Sequence, residues 1–277
     1  MSVLIPHSIL EASEILAQHP AATILNGGTD LMVEVNFNHR RPDSIVLLRN
    51  IAELRDWSTD AASGTITIGA GLPYAAIEKG EIARLVPALA QAARTVGSPQ
   101  IRAAGTMGGN LGTCSPAGDT LPVLSALEAI VHLQSIEGAR SVPFADFMVG
   151  PKRNSRQPNE VITAVTLPIT EQRQGYSKVG VRNAMVISVA SACFAIVNDT
   201  PRFAMGSVGP TILRAREAEA YLASAASNLN DITEEIAHEF GRIAASESRP
   251  IDDHRSTATY RKHAIGVLAT RLALKGI

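Results

Sequence analysis

Two glycine-pair motifs constrain this 277-residue chain more than any other feature. ILNGGTDL (24–31) follows directly on ATIL (22–25), a brief apolar stretch that reads as a strand. TMGGNLGTCSPAGD (106–119) follows directly on a helical pattern. Adjacent glycines permit φ > 0 and let another backbone or a ligand come close. Neither motif is a dinucleotide fingerprint of the G-x-G-x-x-G type, and neither is a phosphate loop with its Lys-Ser/Thr. Neither contains a lysine or an arginine. Their shared logic is bared backbone N–H groups, supplemented by the short side chains of Thr29, Thr106 and Asn110. Such a nest binds a pyrophosphate through amides, with no cation needed. That arrangement suits a static, tightly held group better than a nucleotide whose phosphate is transferred. The competing reading is that each glycine pair is only a tight turn.

The remaining pattern is α+β. Ser8 and Glu11 form a capping-box signal for a helix over 8–18. SIVLL (44–48) and GTITIGAG (64–71) read as strands, the latter from the period-two pair Ile66 and Ile68. Residues 74–96 turn helical, and TLPVLSALEA closes a helix against the second glycine motif. Residues 129–144 read as a hairpin, and VITAVTLP (161–168) as a strand preceded by a polar basic loop, PKRNSRQPNE. After 170 come two strands, MVISVASACFAIV and RFAMGSV. Three helices follow, at 215–223, 233–245 (with Asp231 and Glu234 as a second capping box) and 257–274. The expected organisation is a first domain over 1–170, with subdomains 1–55 and 56–170, and a second over 171–277.

Composition removes several function classes. A net charge of −1 gives no electrostatic reason to expect nucleic acid or an anionic membrane. The two cysteines, Cys114 and Cys193, cannot supply the roughly four thiolates of an iron–sulfur cluster. The seven histidines show no zinc-ligand spacing. The longest apolar run, VISVASACFAIV, falls well short of the ~20 residues of a membrane span. With no signal-peptide pattern at the N-terminus, a cytoplasmic location is expected. Asp119 reads either as a surface turn residue or as a carboxylate accepting ribityl or ribose hydroxyls. Lys178 reads as a solvated strand residue, and Cys114 as a small buried thiol.

ILNGGTDLM, VGSPQIRAAGTMGGNLGTCSPAGDTLPVL, NEVITAVTLP, KVGVRNAMVISV, AMGSVGPTILRAREAEAYL and DDHRSTATYRKHAIGVLATRLAL occur in one order along the chain. Together they resemble the FAD-binding (medium) subunit of molybdenum hydroxylases, the xanthine dehydrogenase and carbon monoxide dehydrogenase family. The resemblance implies a two-subdomain FAD-binding unit like that of vanillyl-alcohol oxidase (the PCMH type). It is followed by a three-stranded sheet with a helical bundle. It implies that Ile24, Leu25, Asn26, Gly27, Gly28, Thr29, Asp30 and Leu31 wrap the diphosphate. Thr106, Gly108, Gly109 and Asn110 would form a second loop, and Thr113 and Asp119 would hold the sugar-like chain. Ile162 would meet the isoalloxazine region, and Lys178 would stand near the flavin. Asn26 departs mildly from the Ala or Gly usual there, with a residue that tolerates the same backbone conformations.

By the same resemblance the chain is an oxidoreductase subunit that collects electrons on FAD and passes them to NAD or another acceptor. The molybdopterin and the [2Fe–2S] clusters would sit on a large and a small partner subunit, in a dimer of heterotrimers. No metal ligand or catalytic acid–base residue is expected on this chain. VGSPQIR and VGVRNAMVIS lean toward xanthine dehydrogenase-like members. The basic loop PKRNSR reads as a solvated or partner-facing segment in preference to a guide for an anionic acceptor. One rival is a stand-alone FAD oxidoreductase with its own small organic substrate, thinly supported by one Trp, four Tyr and no histidine in the glycine motifs. The other is a flavin-binding assembly subunit without a redox role.

Overall fold

In the computed structural model, which describes residues 2–274, the first fifty residues build a small parallel sheet. Its strand order is Ser2–Leu4, Ser44–Leu47, Thr23–Leu25. The helix Ile9–Gln18 begins where expected. The Ser8 hydroxyl accepts the Glu11 amide (3.1 Å), and the Glu11 carboxylate accepts the amide of His7 (2.7 Å), one residue outside a standard capping box. Ala12 and Leu16 on this helix pack with Val46, Leu48, Ile51, Leu54 and Val161.

A five-stranded antiparallel sheet follows, in the order Trp57–Asp60, Thr65–Gly69, Val161–Pro168, Ile130–Ser135, Gly138–Pro143. Ile66 and Ile68 are both fully buried, as their period predicts. The helical stretch over 74–96 is three helices, Tyr74–Ile77, Gly80–Leu85 and Pro87–Thr95. Gly80 at φ +71° and Pro87, which cannot donate to a preceding turn, make the breaks. Ala88, Leu89, Ala92 and Ala93 on the last of them join Leu121, Val123 and Leu124 from the Leu121–Ala126 helix in the core.

The third sheet runs Gln174–Val179, Ala190–Val197, Thr200–Gly206, Leu213–Arg214, so the three expected strands gain a two-residue fourth. Every residue of Ala190–Val197 is buried. Cys193, Ala195 and Val197 enter the core of the five-stranded sheet, while Ala190, Ala192, Phe194 and Ile196 enter the core beneath the C-terminal helices. A strand covered on both faces has no polar face, which is why this segment is the longest apolar run of the chain. Among the described residues no helix is long and apolar enough to cross a membrane.

The C-terminal helices are Arg216–Ala225, Glu234–Glu247 and Ala258–Leu274. The second is capped by Thr233, whose hydroxyl accepts the Ile236 amide (3.4 Å), and not by the expected Asp231–Glu234 box. Glu234 is the first helical residue here, so Asp231 lies too far upstream to reach the first turn's amides.

The DDHRSTATYRKH motif is a clamp. Arg261, only 4% exposed, donates to the carbonyls of Val189 (2.8 Å) and Ser207 (2.9 Å) and to the Asp253 carboxylate (2.7 Å). Burial opposes the charge on Asp253. The amides of Arg255 and Ser256 and the Arg261 guanidinium outweigh it and hold the carboxyl at about 2. This lies below its ordinary 3.8, so its stabilisation is present above that pH and fades as pH falls toward 2. Asp253→Asn should therefore lower the melting temperature at pH 7 and flatten its decline between pH 4 and pH 2. An acid limb as steep as the wild type's would refute this.

Candidate functional site

The first glycine motif leaves the strand Thr23–Leu25 and enters the helix Leu31–Asn36 through Gly28 at φ +73°. The amides of Gly27, Gly28, Thr29, Asp30 and Leu31 find no acceptor among the described residues. A helix start leaves its own first amides without intrahelical partners, and here the run extends back through the glycine pair, so that five consecutive donors stand free. They line a cleft of about 660 Å³, within the ~300–1,000 Å³ range of cofactor pockets.

The second motif differs from its expected form. Met107–Thr113 is a helix, not a loop. Thr106 caps it by accepting the Gly109 amide on its hydroxyl (3.0 Å). The Gly108 amide donates to the Ala70 carbonyl (2.9 Å) and that of Asn110 to the Thr106 carbonyl (3.0 Å). Threonine at an N-cap satisfies an orphan donor of the first turn. Three amides expected in a nest are therefore spent inside the protein, and Gly108 and Gly118 serve packing. A Cβ on Gly108 would stand 2.7 Å from the Ala70 Cβ, and one on Gly118 would stand 2.5 Å from the Asn110 amide nitrogen.

The two motifs meet directly. The Thr113 hydroxyl donates to the Asp30 carboxylate (3.0 Å), while within the second motif the Asn110 side-chain oxygen accepts from the hydroxyl of the following Thr120 (2.7 Å). A Cβ on Gly27 would lie 1.8 Å from the carbonyl oxygen of Ala104, just before the second motif. Ile162 reaches the same cleft from Val161–Pro168, beside a register shift between Ile162 and Ala164 that frees the Thr163 carbonyl to accept the Ala70 amide (2.9 Å). Asp119 also lines the cleft. Its two oxygens accept from the Tyr176 hydroxyl (3.0 Å) and the Lys178 ammonium (2.6 Å). Burial pushes the Asp119 carboxyl up, against the pull of Lys178.

The cleft thus gathers Ile24 to Leu31, Thr106, Gly108, Gly109, Asn110, Thr113, Asp119 and Ile162. Lys178 is not on its wall. It is also not a solvated strand residue: its side chain is 9% exposed, and the ammonium also donates to the carbonyls of Thr95 (2.9 Å) and Val186 (3.1 Å). The reason is Asp119, 59 positions away, whose buried charge needs a counter-ion. The sequence pattern missed Tyr74, Arg40 and the wall residues Met185, Val186 and Ile187. Lys152 and Arg156, from the basic loop read as solvated, line the cleft as well. Lys152 pairs with Glu34 (2.8 Å), and Arg156 holds the carbonyls of Gln157 and Glu160 (both 2.8 Å). Both cysteines are buried and free, and burial pushes the Cys114 thiol up to about 12, so neither is a ready nucleophile. Among the described residues no cluster of His, Cys, Asp or Glu is placed to hold a metal.

Residues 1–170 match the family model described as the FAD binding domain in molybdopterin dehydrogenase, and residues 176–275 match the CO dehydrogenase flavoprotein C-terminal domain. The chain belongs to the FAD-subunit family of the molybdenum hydroxylases. It is 36% identical over 203 residues to the nicotinate dehydrogenase FAD-subunit of Eubacterium barkeri, covering 70% of this chain and 68% of that one. It is 30% identical over 271 residues to the glyceraldehyde dehydrogenase medium chain of Sulfolobus acidocaldarius, covering 95% and 94%. Among solved structures it resembles quinoline 2-oxidoreductase of Pseudomonas putida 86 (TM-score 0.91, 25% identity, 99% and 95% covered). It also resembles the carbon monoxide dehydrogenase of Hydrogenophaga pseudoflava (TM-score 0.89, 27% identity, 98% and 95% covered).

A flavoprotein subunit of this family is an oxidoreductase component that binds FAD, and the cleft fits that cofactor on its own terms. Five acceptorless amides match a diphosphate, whose oxygens are strong acceptors. The buried carboxylate of Asp119 on the cleft lining matches hydroxyl donors. Asn26 is accommodated beside Gly71, where its amide nitrogen lies 3.3 Å from the position a Cβ would take.

Proposed function

We propose that FAD lies in this cleft with its diphosphate on the amides of Gly27 to Leu31. Its sugar-like chain would run past Thr113 and Asp119, and its ring system would lie at the end walled by Ile162 and Met185–Ile187. In this reading the chain takes electrons from an iron–sulfur partner subunit and passes them to NAD or another acceptor. A molybdenum-bearing large subunit would carry the substrate chemistry, the whole forming a dimer of heterotrimers. The run of unpaired amides in a cleft closed by the second motif carries the proposal.

When bound, FAD supplies the capacity to accept electrons singly and deliver them as a pair. The chain's own residues position and enclose. The Thr113–Asp30 hydrogen bond clips the two motifs together, and Met185–Ile187 line the cleft as an apolar wall. Lys178 and Tyr74 are not poised as an acid or base. Lys178 is committed to three acceptors, and burial keeps the Tyr74 hydroxyl protonated. Two cysteines are too few for a cluster relay within these 277 residues, which supports an iron–sulfur partner as the electron source.

The named relatives act with nicotinate, glyceraldehyde, quinoline and carbon monoxide, which supports a shared flavin role with the substrate chosen elsewhere. The xanthine dehydrogenase-like form of the proposal rests on VGSPQIR and VGVRNAMVIS. A stand-alone oxidoreductase would need a base beside its substrate, and no histidine among the described residues lines this cleft.

The test is the visible spectrum of the purified chain, followed by acid release of its flavin and metal analysis of what co-purifies. The expected result is FAD near one per chain, with iron and molybdenum on co-purifying proteins. A chain that carries no FAD and takes none up, even within its co-purified complex, would overturn the proposal.

A further inference from the structure

Behind Asp119 in the cleft wall sit two buried side chains that do not themselves line the cleft. Tyr176 and Lys178, two apart on the strand Gln174–Val179, both present their polar ends to Asp119, one on each carboxylate oxygen. Tyr176 is 4% exposed and Asp119 9%, so the contacts are nearly dry. The strand itself is held from the other side, where the Gln91 side-chain oxygen accepts the Tyr176 amide (2.7 Å). The Lys178 ammonium uses its three N–H bonds on three separate segments: Asp119, the Thr95 carbonyl at the end of Pro87–Thr95, and the Val186 carbonyl in the cleft wall. An ammonium has three donors and no more. It has none left for a ligand.

The wall is otherwise held within its own loop, by the Arg182 guanidinium donating to the carbonyls of Ala184 and Met185. Val181 is 65% exposed, Met185 56% and Ile187 52%, and Met185 sits at φ +51°. Val186 folds back on Gly180, where a Cβ would stand 2.3 Å from the Val186 side chain. The carbonyl of Val186 is therefore tied to the body of the protein through Lys178.

We infer that Tyr176 and Lys178 are positioning residues for the cofactor: they fix the direction of the Asp119 carboxylate and keep it ionised, and Lys178 also pins the Met185–Ile187 wall. They act through Asp119, and neither lines the cleft. The inference rests on the proposed contact of Asp119 with FAD hydroxyls. The groups facing Asp119 are Tyr176 and Lys178 from one strand, Tyr74 from the helix Tyr74–Ile77 and Thr95 from the helix Pro87–Thr95. Burial pushes both tyrosine hydroxyls up, so they stay neutral, and Lys178 is the one cation facing this carboxylate among the described residues. Without it, only the hydrogen bonds from Tyr176 and Thr95 oppose burial at Asp119, and the balance moves toward the protonated acid.

The experiment is FAD affinity, read by fluorescence quenching from pH 6 to pH 9, on the full chain and on the variants Lys178→Met, Tyr176→Phe, Asp119→Asn and Asp119→Asn/Lys178→Met. Circular dichroism confirms that each is folded. The wild type should be flat across this range. Lys178→Met should bind about tenfold or more weakly, the size of one charge-assisted hydrogen bond. Its affinity should also fall as pH drops, by up to about tenfold per unit for one proton taken up. Tyr176→Phe should weaken binding by a few-fold and stay flat, because Lys178 remains. The double variant should lose the pH dependence, since an amide does not titrate. A Lys178→Met protein that binds weakly yet flat would reduce Lys178 to scaffolding and overturn the inference alone. An Asp119→Asn protein that binds FAD like the wild type would instead remove the Asp119 contact on which it rests.

Discussion

Gly27→Ala is expected to strip the protein of FAD and to cost about 1–3 kcal/mol of stability, the usual range for overpacking. The new Cβ would fall 1.8 Å from the Ala104 carbonyl oxygen, 2.5 Å from its carbon and 3.1 Å from the Gly105 nitrogen. All three are backbone atoms, so no side chain can swing aside. Relief requires the 26–31 segment to part from the chain leading into Met107–Thr113, which separates the free amides from the rest of the cleft. Gly28→Ala makes a sharp comparison. Its φ of +73° costs an alanine about 1–2 kcal/mol in backbone strain. Its nearest neighbour, however, is the flexible Met32 side chain at 3.2 Å, which can yield. Flavin content and melting temperature should therefore rank wild type first, Gly28→Ala second and Gly27→Ala last for bound FAD. If Gly27→Ala kept a full complement of FAD, the close approach of the two motifs would not be what shapes the site.

Phe240→Ala should be the most destabilising single truncation in the C-terminal core, by about 3–5 kcal/mol. Phe240 is fully buried and meets Phe203 edge-on, with ring centres 5.3 Å apart at 73°, and Phe194 at 6.2 Å and 84°. Removing it leaves two aromatic edges without a partner as well as a cavity. At roughly 2–4 °C per kcal/mol for a large domain, the melting temperature should drop by about 6–20 °C. The more telling readout is the shape of the transition. Phe194 lies on Ala190–Val197, whose opposite face supplies Cys193, Ala195 and Val197 to the core of the flavin-binding part. Loosening one face of a shared strand loosens the other, so the variant should still unfold in a single step, with FAD released at that same lowered temperature. Two separate transitions, with the flavin-binding part melting at the wild-type temperature, would show that the shared strand does not couple the two cores.

Local rules carried much of the fold. The helix after Ser8, the strand around Ile66 and Ile68, the 129–144 hairpin and the strand Val161–Pro168 are each set by periods and caps within a few residues. The Asp231–Glu234 box failed because Thr233, one residue before the helix, satisfies the same donors at shorter range. The second glycine motif was legible as special but not as a helix. Glycine lowers helix propensity, and what stabilises Met107–Thr113 is the Thr106 cap and the Ala70 carbonyl brought in from 38 residues upstream.

The sequence by itself determined that the chain carries two cation-free glycine motifs and too few thiols for a cluster relay, and which family those motifs belong to. Composition and short-range spacing suffice for such statements, because donors, glycines and cysteines can be counted without knowing where they lie. Only the tertiary structure decided which motif offers free amides, that Lys152 and Arg156 reach the cleft, and that Lys178 is buried behind Asp119. Whether an amide or an ammonium is free depends on the acceptor beside it in space. Here those acceptors, Ala70 for Gly108, Glu34 for Lys152 and Asp119 for Lys178, lie far away along the chain.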